Sequence, residues 1–246
     1  MVKLIIFCSK VTIAIVTALL LTSCKYDINL GNGIEGNGNV KTETRSITET
    51  FTKISTNRGI EVVVNQDETT EVQVEADENL IKHITTKVEN GTLVISSDEN
   101  IDSAEKLIVH VTTPTINGLE ASSGSTLSTK KTIKGSAIQI KSSSGSEINA
   151  IVEYDKVATE STSGSNIEVS GKALNLNTST SSGSTTDAGD LIANDVVAES
   201  SSGSSTEVHA AVVLSARASS GSSIEYNGSP KEVNKEETSG GSVSKK

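Results

Sequence analysis

From Gly124 onward one short motif, Ser/Thr-Ser-Gly-Ser, keeps returning. Its glycine falls at Gly124, Gly145, Gly164, Gly183, Gly203 and Gly221, with a variant at Gly240, in steps of 18 to 21 residues. A period near twenty points to a solenoid, in which each coil is too thin to bury its own face and stacks on its neighbours. A flexible Ser/Gly linker has a similar local composition, so the side-chain pattern between motifs has to decide.

That pattern alternates. Three residues after each glycine stand Leu127, Ile148, Ile167, Thr186, Thr206 and Ile224, and seven before it stand Asn117, Ile138, Val157, Leu176, Val196 and Leu214. The even offsets are mostly polar, as at Ser128, Asn149, Glu168, Asp187, Glu207 and Glu225, four residues after. A period of two means strands with one face in and one out, and a linker has no reason to keep it. The same parity puts the serines on both sides of every glycine, Ser163 and Ser165 among them, on the inward face. Stacked at about 4.8 Å, they are expected to form hydroxyl ladders along the axis, with the glycine allowing the bend. The reading is an all-β, single-stranded β-helix (β-solenoid) with coils of about 19–20 residues, expected to be right-handed.

Upstream, Ile60-Glu61-Val62, Val72-Gln73-Val74 and Leu107-Ile108-Val109-His110-Val111 read as strands, and Asn90-Gly91 as a hairpin turn. No convincing helical period occurs outside the first residues. Ser229-Pro230 interrupts the repeat, and Ser239-Gly240-Gly241-Ser242-Val243 resumes it as a terminal coil or cap. With only 2% aromatic residues, a conventional core of this length would be thin; a narrow interior of Ser, Thr, Ala and aliphatic side chains fits that composition.

The start of the chain sets the compartment. Lys3 and Lys10 accompany an apolar run, Val11 to Leu21, the length of a secretory h-region. It ends in Leu21-Thr22-Ser23-Cys24, which resembles the lipobox of bacterial lipoproteins. Residues 1–23 are read as a lipoprotein signal peptide, Cys24 as the acylated N-terminus, 24–40 as a flexible tether, 41–228 as the solenoid and 229–246 as its C-terminal cap and tail. Cys8 lies in the part removed, so the mature chain forms no internal disulfide.

Net charge is −10 for the whole chain, and removal of the two leader lysines makes the mature part more acidic still. Such a balance argues against nucleic acid, whose affinity rests on neutralising phosphates. The expected partners are the membrane, through the N-terminal lipid, and a glycan or envelope protein.

Several residues together resemble a known family: Gly36-Asn37-Gly38-Asn39-Val40 with Thr44-Arg45, then Phe51 and Ile54, Val62-Val63-Val64, Asn90-Gly91-Thr92-Leu93, Pro114 before Leu119, and the repeated Ser-Gly-Ser. The set resembles the putative auto-transporter adhesin head GIN domain family, common in Bacteroidetes lipoproteins, over roughly residues 36 to 228. The resemblance implies a single-stranded β-helix exported to the cell envelope and outer membrane, facing the periplasm or the surface. It implies no catalytic residues.

Chemistry-bearing constellations are few. Gly31-Asn32-Gly33-Ile34-Glu35-Gly36 spells the dinucleotide fingerprint but lacks the strand before it and the helix after it. His83, His110 and His209 are far apart and not at ligand spacing. No serine sits in a Gly-x-Ser-x-Gly elbow. Glu168, Asp187, Glu207 and Glu225 form an outward column whose alternatives are a solvated face and a Ca²⁺ ladder. Asp102-Ser103-Ala104 resembles a short O-glycosylation acceptor sequence, with Ser103 as the acceptor. No cofactor or catalytic residue is assigned. The functional expectation is a non-enzymatic adhesive or structural envelope module, the alternatives being a periplasmic scaffold or accessory lipoprotein and a polysaccharide-acting enzyme.

Overall fold

A strand whose side chains alternate apolar and polar must cover its apolar face, and here it does so by stacking on the next turn of the same chain. The computed structural model describes residues 33–246. Its longest strands, Glu147–Thr162, Asn166–Thr180, Thr185–Ser200 and Ser205–Ala218, each run most of the way round one coil and pair in parallel with the next. The column three residues past the glycines is in register throughout: Leu127 on Ile148, Ile167, Thr186, Thr206, Ile224 and finally Val243. All are buried, and each fully buried Leu or Ile contributes about 1.5–3 kcal/mol.

Each coil turns at two corners. One lies where alternation slips, as at Asp155 and Lys156, which are both exposed between buried Tyr154 and Val157. The other is the Ser-Gly turn. There Ser163 and Gly164 both take positive φ, 59° and 70°, and the same pair recurs at seven turns from Ser123-Gly124 to Ser239-Gly240. Two successive left-handed residues reverse the strand as a type I′ turn does. The Gly164 N–H donates to the Ser182 carbonyl of the next coil at 3.1 Å, one of a series continuing to Gly221 and Ser239. A Cβ on Gly164 would meet nothing within 4 Å, so the position selects glycine for its φ and not for space.

This turn corrects the expected inward ladder. Ser165 is buried, but Ser163 is exposed, because the two-residue alternation holds only while the backbone stays extended. The same division occurs at Ser144 and Ser146, and at Ser202 and Ser204.

The N-terminal part departs from a sequential stack. Lys53–Thr56 pairs in parallel with Gly118–Ala121 on one side and with Thr92–Ser97 on the other, and Glu61–Gln66 lies likewise between Thr126–Thr129 and Leu107–Thr113. The chain therefore leaves its first coil, covers one end of the solenoid, and returns to continue the stack. That cover is antiparallel: Val40–Arg45 with Glu71–Asp77, Glu71–Asp77 with Leu107–Thr113, and the hairpin Ile84–Glu89 with Thr92–Ser97. Asn90 and Gly91, at φ 50° and 75°, form that hairpin's turn, as their sequence indicates. One four-residue helix, Glu78–Ile81, interrupts the strands.

Residues 33–40, assigned above to a flexible tether, are built into this end. Ile34–Glu35 pairs with Ile101–Ser103, and the Gly38 N–H donates to Asp77 Oδ2 at 2.9 Å. The glycines of the apparent nucleotide fingerprint serve close approach instead: a Cβ on Gly33 would strike Asp102, and one on Gly36 would strike Asp77. Cys24 and the leader lie outside the described residues. At the opposite end Glu232–Glu237 and Ser242–Lys245 stack on the Gly221 coil as a last coil.

Candidate ligand groove

Beside the Asp155 corner the two outermost rows of one sheet face form a shallow floor. One row runs Ala137, Lys156, Asn175, Asp195, and the other Gln139, Ala158, Asn177, Val197, each residue paired with the next across a coil boundary. Between the rows lie Ile138, Val157 and Leu176, whose side chains point into the core. Small residues at Ala137 and Ala158 keep the floor low.

The N-terminal cover raises a wall at one end. Gln66 Nε2 donates to the carbonyls of Pro114 and Lys134 at 3.0 and 2.9 Å, and the Lys134 N–H returns a bond to Gln66 Oε1 at 2.7 Å. This one amide ties the end cover to the first long strand. The resulting groove has a volume of about 1040 Å³. Behind it Tyr154 is buried, and its hydroxyl donates to the Ile116 carbonyl at 2.7 Å. Burial pushes the Tyr154 phenol up to about 12, so it serves as a neutral donor. Gly135 makes room for that ring, since a Cβ there would come 2.6 Å from Tyr154 Cε1.

The groove carries three lysines, Lys53, Lys134 and Lys156, against one acid, Asp195. Lys134 pairs with Glu153 at 2.7 Å, and that hydrogen bond holds the Glu153 carboxyl below its usual value. Lys53 and Lys156 have no acidic partner among the described residues. The amides of Asn117, Gln139, Asn175 and Asn177 likewise make no side-chain hydrogen bond within the described protein, and so present donors and acceptors to whatever enters.

The acidic column lies elsewhere on the coils, on the stretch that follows each Ser-Gly turn. Glu168, Asp187, Glu207 and Glu225 stack in register, as their spacing indicates. Glu207 is engaged by Lys246 Nζ and by Asn227 Nδ2, both at 2.8 Å. These bonds lower the Glu207 carboxyl and raise the Lys246 amine, the Lys246 hydrogen bond being the largest cause in each case. Among the described residues no three His, Cys, Asp or Glu side chains converge as a metal site. The column acts as a counter-charge for the chain's last lysine.

The histidines are separate as well. His83 Nδ1 sits 2.9 Å from Asp98 Oδ1, His110 Nε2 sits 3.1 Å from Glu75 Oε2, and His209 belongs to neither. Ser103 is exposed on its short strand.

The profile of the family described as putative auto-transporter adhesin, head GIN domain, matches residues 50–230. The chain belongs to that family. Head GIN membership agrees with the solved structures this chain resembles. A putative adhesin from Bacteroides fragilis superposes with a TM-score of 0.82 at 20% identity, over 87% of this chain and 100% of that one. A putative lipid binding protein from Parabacteroides distasonis gives 0.70 at 20% identity, over 87% and 99%. A putative adhesin from Parabacteroides merdae gives 0.67 at 18% identity, over 87% and 98%. At these identities the likeness is one of fold. No curated protein matches the chain. Among the described residues no helix is long and apolar enough to cross a membrane.

Sequence reasoning did not find the groove of this head GIN domain. Its floor was within reach, as the rows six and eight residues before each glycine, the first of which, Gln139, Ala158, Asn177 and Val197, carries no charge. Its wall was not, because Lys53, Gln66 and Pro114 arrive from segments that stack out of chain order.

Proposed function

We propose that the mature protein is a lipid-anchored, non-catalytic binding module of the cell envelope that holds a glycan or envelope protein in the groove beside the Asp155 corner. The observation that carries this reading is the set of four unpaired amides in the groove, three of them on its in-register strand floor. Rigid elements place polar groups better than loops do, and an open site with convergent polar groups is the usual form of a ligand site. Family membership supports an adhesin-like role.

Absence of catalysis is supported by the lining itself. Glycoside hydrolysis uses two carboxyl groups flanking the bond, whereas Asp195 is the single acid in the groove and no histidine lines it. One structural neighbour is described as a putative lipid binding protein; an acyl chain here would strip water from four amides without replacing their hydrogen bonds, which is costly. The lipid in this reading is the anchor on Cys24, outside the groove.

Two measurements test it. Cys24→Ser should leave an unacylated chain that no longer sediments with membranes; unchanged fractionation and an N-terminal peptide of unaltered mass would overturn the anchor. The same soluble chain should bind on a glycan array or capture envelope proteins, and Ala158→Trp, which fills the floor, should abolish the signal. Binding indifferent to Ala158→Trp would remove the groove from the function, and full protection from protease on intact cells would favour a periplasmic scaffold.

A further inference from the structure

We propose that the groove takes an acidic oligosaccharide, lying along the solenoid axis with successive anionic groups at Lys53 and Lys156 and its hydroxyls on the amides; this rests on the binding-module reading above. The whole chain carries −10, yet this groove holds three lysines to one acid, and only Lys134 is neutralised by a carboxylate. Two uncompensated ammonium groups, set three coils apart along a polar groove in an acidic protein, favour a partner that brings negative charge at more than one point.

Lys53 is held in position by its neighbours in the row. It shares its row with Gly118, Gln139 and Ala158, and Gly118 has no side chain to stand in the way. A Cβ on Gly118 would lie 3.0 Å from Lys53 Cγ and 3.4 Å from its Cδ. The aliphatic stem of Lys53 therefore lies over Gly118, in the space a side chain there would take. Lys156 lies in the adjacent row, one coil beyond Ala137 and one before Asn175.

Gln139 and Asn177 share a row two coils apart, about 9.6 Å at the usual strand spacing, with Ala158 between them. Asn175 stands beside Asn177 in the neighbouring row. Each amide both donates and accepts, which suits hydroxyls that do the same, and the small apolar surfaces of Ala158 and Val197 suit the C–H faces of a sugar ring. An acyl chain satisfies none of the amides. A nucleic acid needs more than two free cations in a chain of this charge. With no aromatic residue in the groove, affinity depends on hydrogen bonds and charge and falls as salt rises.

The test uses the unacylated Cys24→Ser chain and isothermal titration with three probes: an oligogalacturonate, the same oligomer with its carboxyl groups reduced to alcohols, and oleate. The acidic oligomer is expected to bind, and the reduced one to bind at least about tenfold more weakly, as expected when charge-assisted bonds become neutral ones. Lys53→Ala and Lys156→Ala should each weaken the acidic oligomer without moving the melting temperature, and Ala158→Trp should abolish its binding. Equal affinity for the acidic and reduced oligomers would overturn the anionic assignment alone. Binding of oleate but of neither oligomer would overturn the sugar assignment and leave a working groove. Acidic-oligomer binding untouched by Ala158→Trp would overturn the groove itself, and no binding of any probe would overturn this proposal while the array result still judged the broader one.

Discussion

The hydroxyl oxygen of Ser165 lies 2.7 Å from the carbonyl oxygen of Ser142 in the preceding coil. Ser146 reaches Ala121 in the same way at 2.8 Å, Ser204 reaches Thr180 at 2.9 Å, and Ser222 reaches Ser200 at 2.7 Å. Each hydroxyl has one proton, and the Thr162 carbonyl competes for that of Ser165 at 2.8 Å. Its lone pairs are used as well, since the Thr162 N–H lies 3.1 Å away and the Ser161 hydroxyl 3.0 Å. The buried serine thus closes its own turn and joins it to the coil beneath, which an aliphatic side chain of equal size cannot do.

Ser165→Ala should therefore cost about 1–3 kcal/mol, because it removes the hydroxyl that bonds both the Thr162 N–H and the Ser142 carbonyl. Ser165→Leu should cost more, adding about 1–3 kcal/mol of overpacking in a narrow coil. Two residues away the demand is different. Ser163 is exposed at φ 59°, so Ser163→Asn should be neutral or slightly stabilising, whereas Ser163→Val should cost about 1–2 kcal/mol in the left-handed region. Thermal and urea melts would read all four. Equal midpoints for Ser165→Ala and Ser163→Asn would contradict the hydrogen-bonded turn.

The misplacing of Ser163 shows what sequence periodicity can and cannot carry. Parity located Ile148, Ile167 and Ile224 in one buried column because their backbone is extended throughout, and it located the stacked carboxylates for the same reason. It failed at Ser163 because two left-handed residues suspend the alternation, a conformation that the glycine hints at but the serine does not. Strand and turn signals placed Val72–Val74, Leu107–Val111 and the Asn90-Gly91 turn, but not the antiparallel pairing of the end cover over the first coil, and so not the arrival of Lys53 and Pro114 at the groove. Nor did periodicity reveal that Glu207 answers Lys246, a contact that spans two coil steps, past Glu225, to a partner in an apparent tail.

Thr206 offers a test in the opposite direction. Its hydroxyl is buried with no partner among the described residues, while Thr186 beside it in the column accepts a hydrogen bond from Thr180 at 2.8 Å. Thr206→Val keeps the shape and removes the unmet group, so stability should rise by about 1 kcal/mol or more; Thr186→Val should lose about 0.5–1.5 kcal/mol. Urea midpoints would decide. A larger loss for Thr206→Val than for Thr186→Val would show that a water or another partner satisfies Thr206.

The last coil presents an edge on which nothing is stacked among the described residues, and Val233 is 37% exposed for that reason. Charged side chains at Glu232, Lys235, Glu236 and Glu237 stand along it, the usual means of discouraging edge-to-edge pairing. Replacing Glu232 and Glu236 with Thr and Asn234 with Val should produce concentration-dependent association in sedimentation velocity, with little change in the far-ultraviolet spectrum. An unaltered sedimentation coefficient over a hundredfold concentration range would mean that charge is not what protects this edge.

Asp77 ties the first described residues to the rest of the domain, and it should do so in a pH-dependent way. Its carboxylate is shut off from solvent only by the thin layer of Gly36–Gly38 and Ala104–Lys106. It accepts backbone N–H bonds from Gly38 at 2.9 Å, Lys106 at 3.2 Å and Glu105 at 3.4 Å. These bonds, that from Gly38 foremost, hold the Asp77 carboxyl below its ordinary value of 3.8. A carboxyl whose folded value is depressed contributes stability that is present above the unfolded value and is lost as pH falls through the folded one. The segment 34–45 should thus stay docked at neutral pH and loosen below about pH 4, when a proton turns one acceptor oxygen into a donor facing N–H groups. Asp77→Asn places an amide donor in the same position at every pH, so it should loosen the segment at pH 7 and flatten the response to acid. Hydrogen exchange at the Gly38 and Lys106 amides, followed from pH 7 to pH 3, would separate this local release from global unfolding of the Gly164 coil. Protection of Gly38 that persists in Asp77→Asn, or that falls in step with the core amides in the native chain, would show that some other contact holds the N-terminal strand.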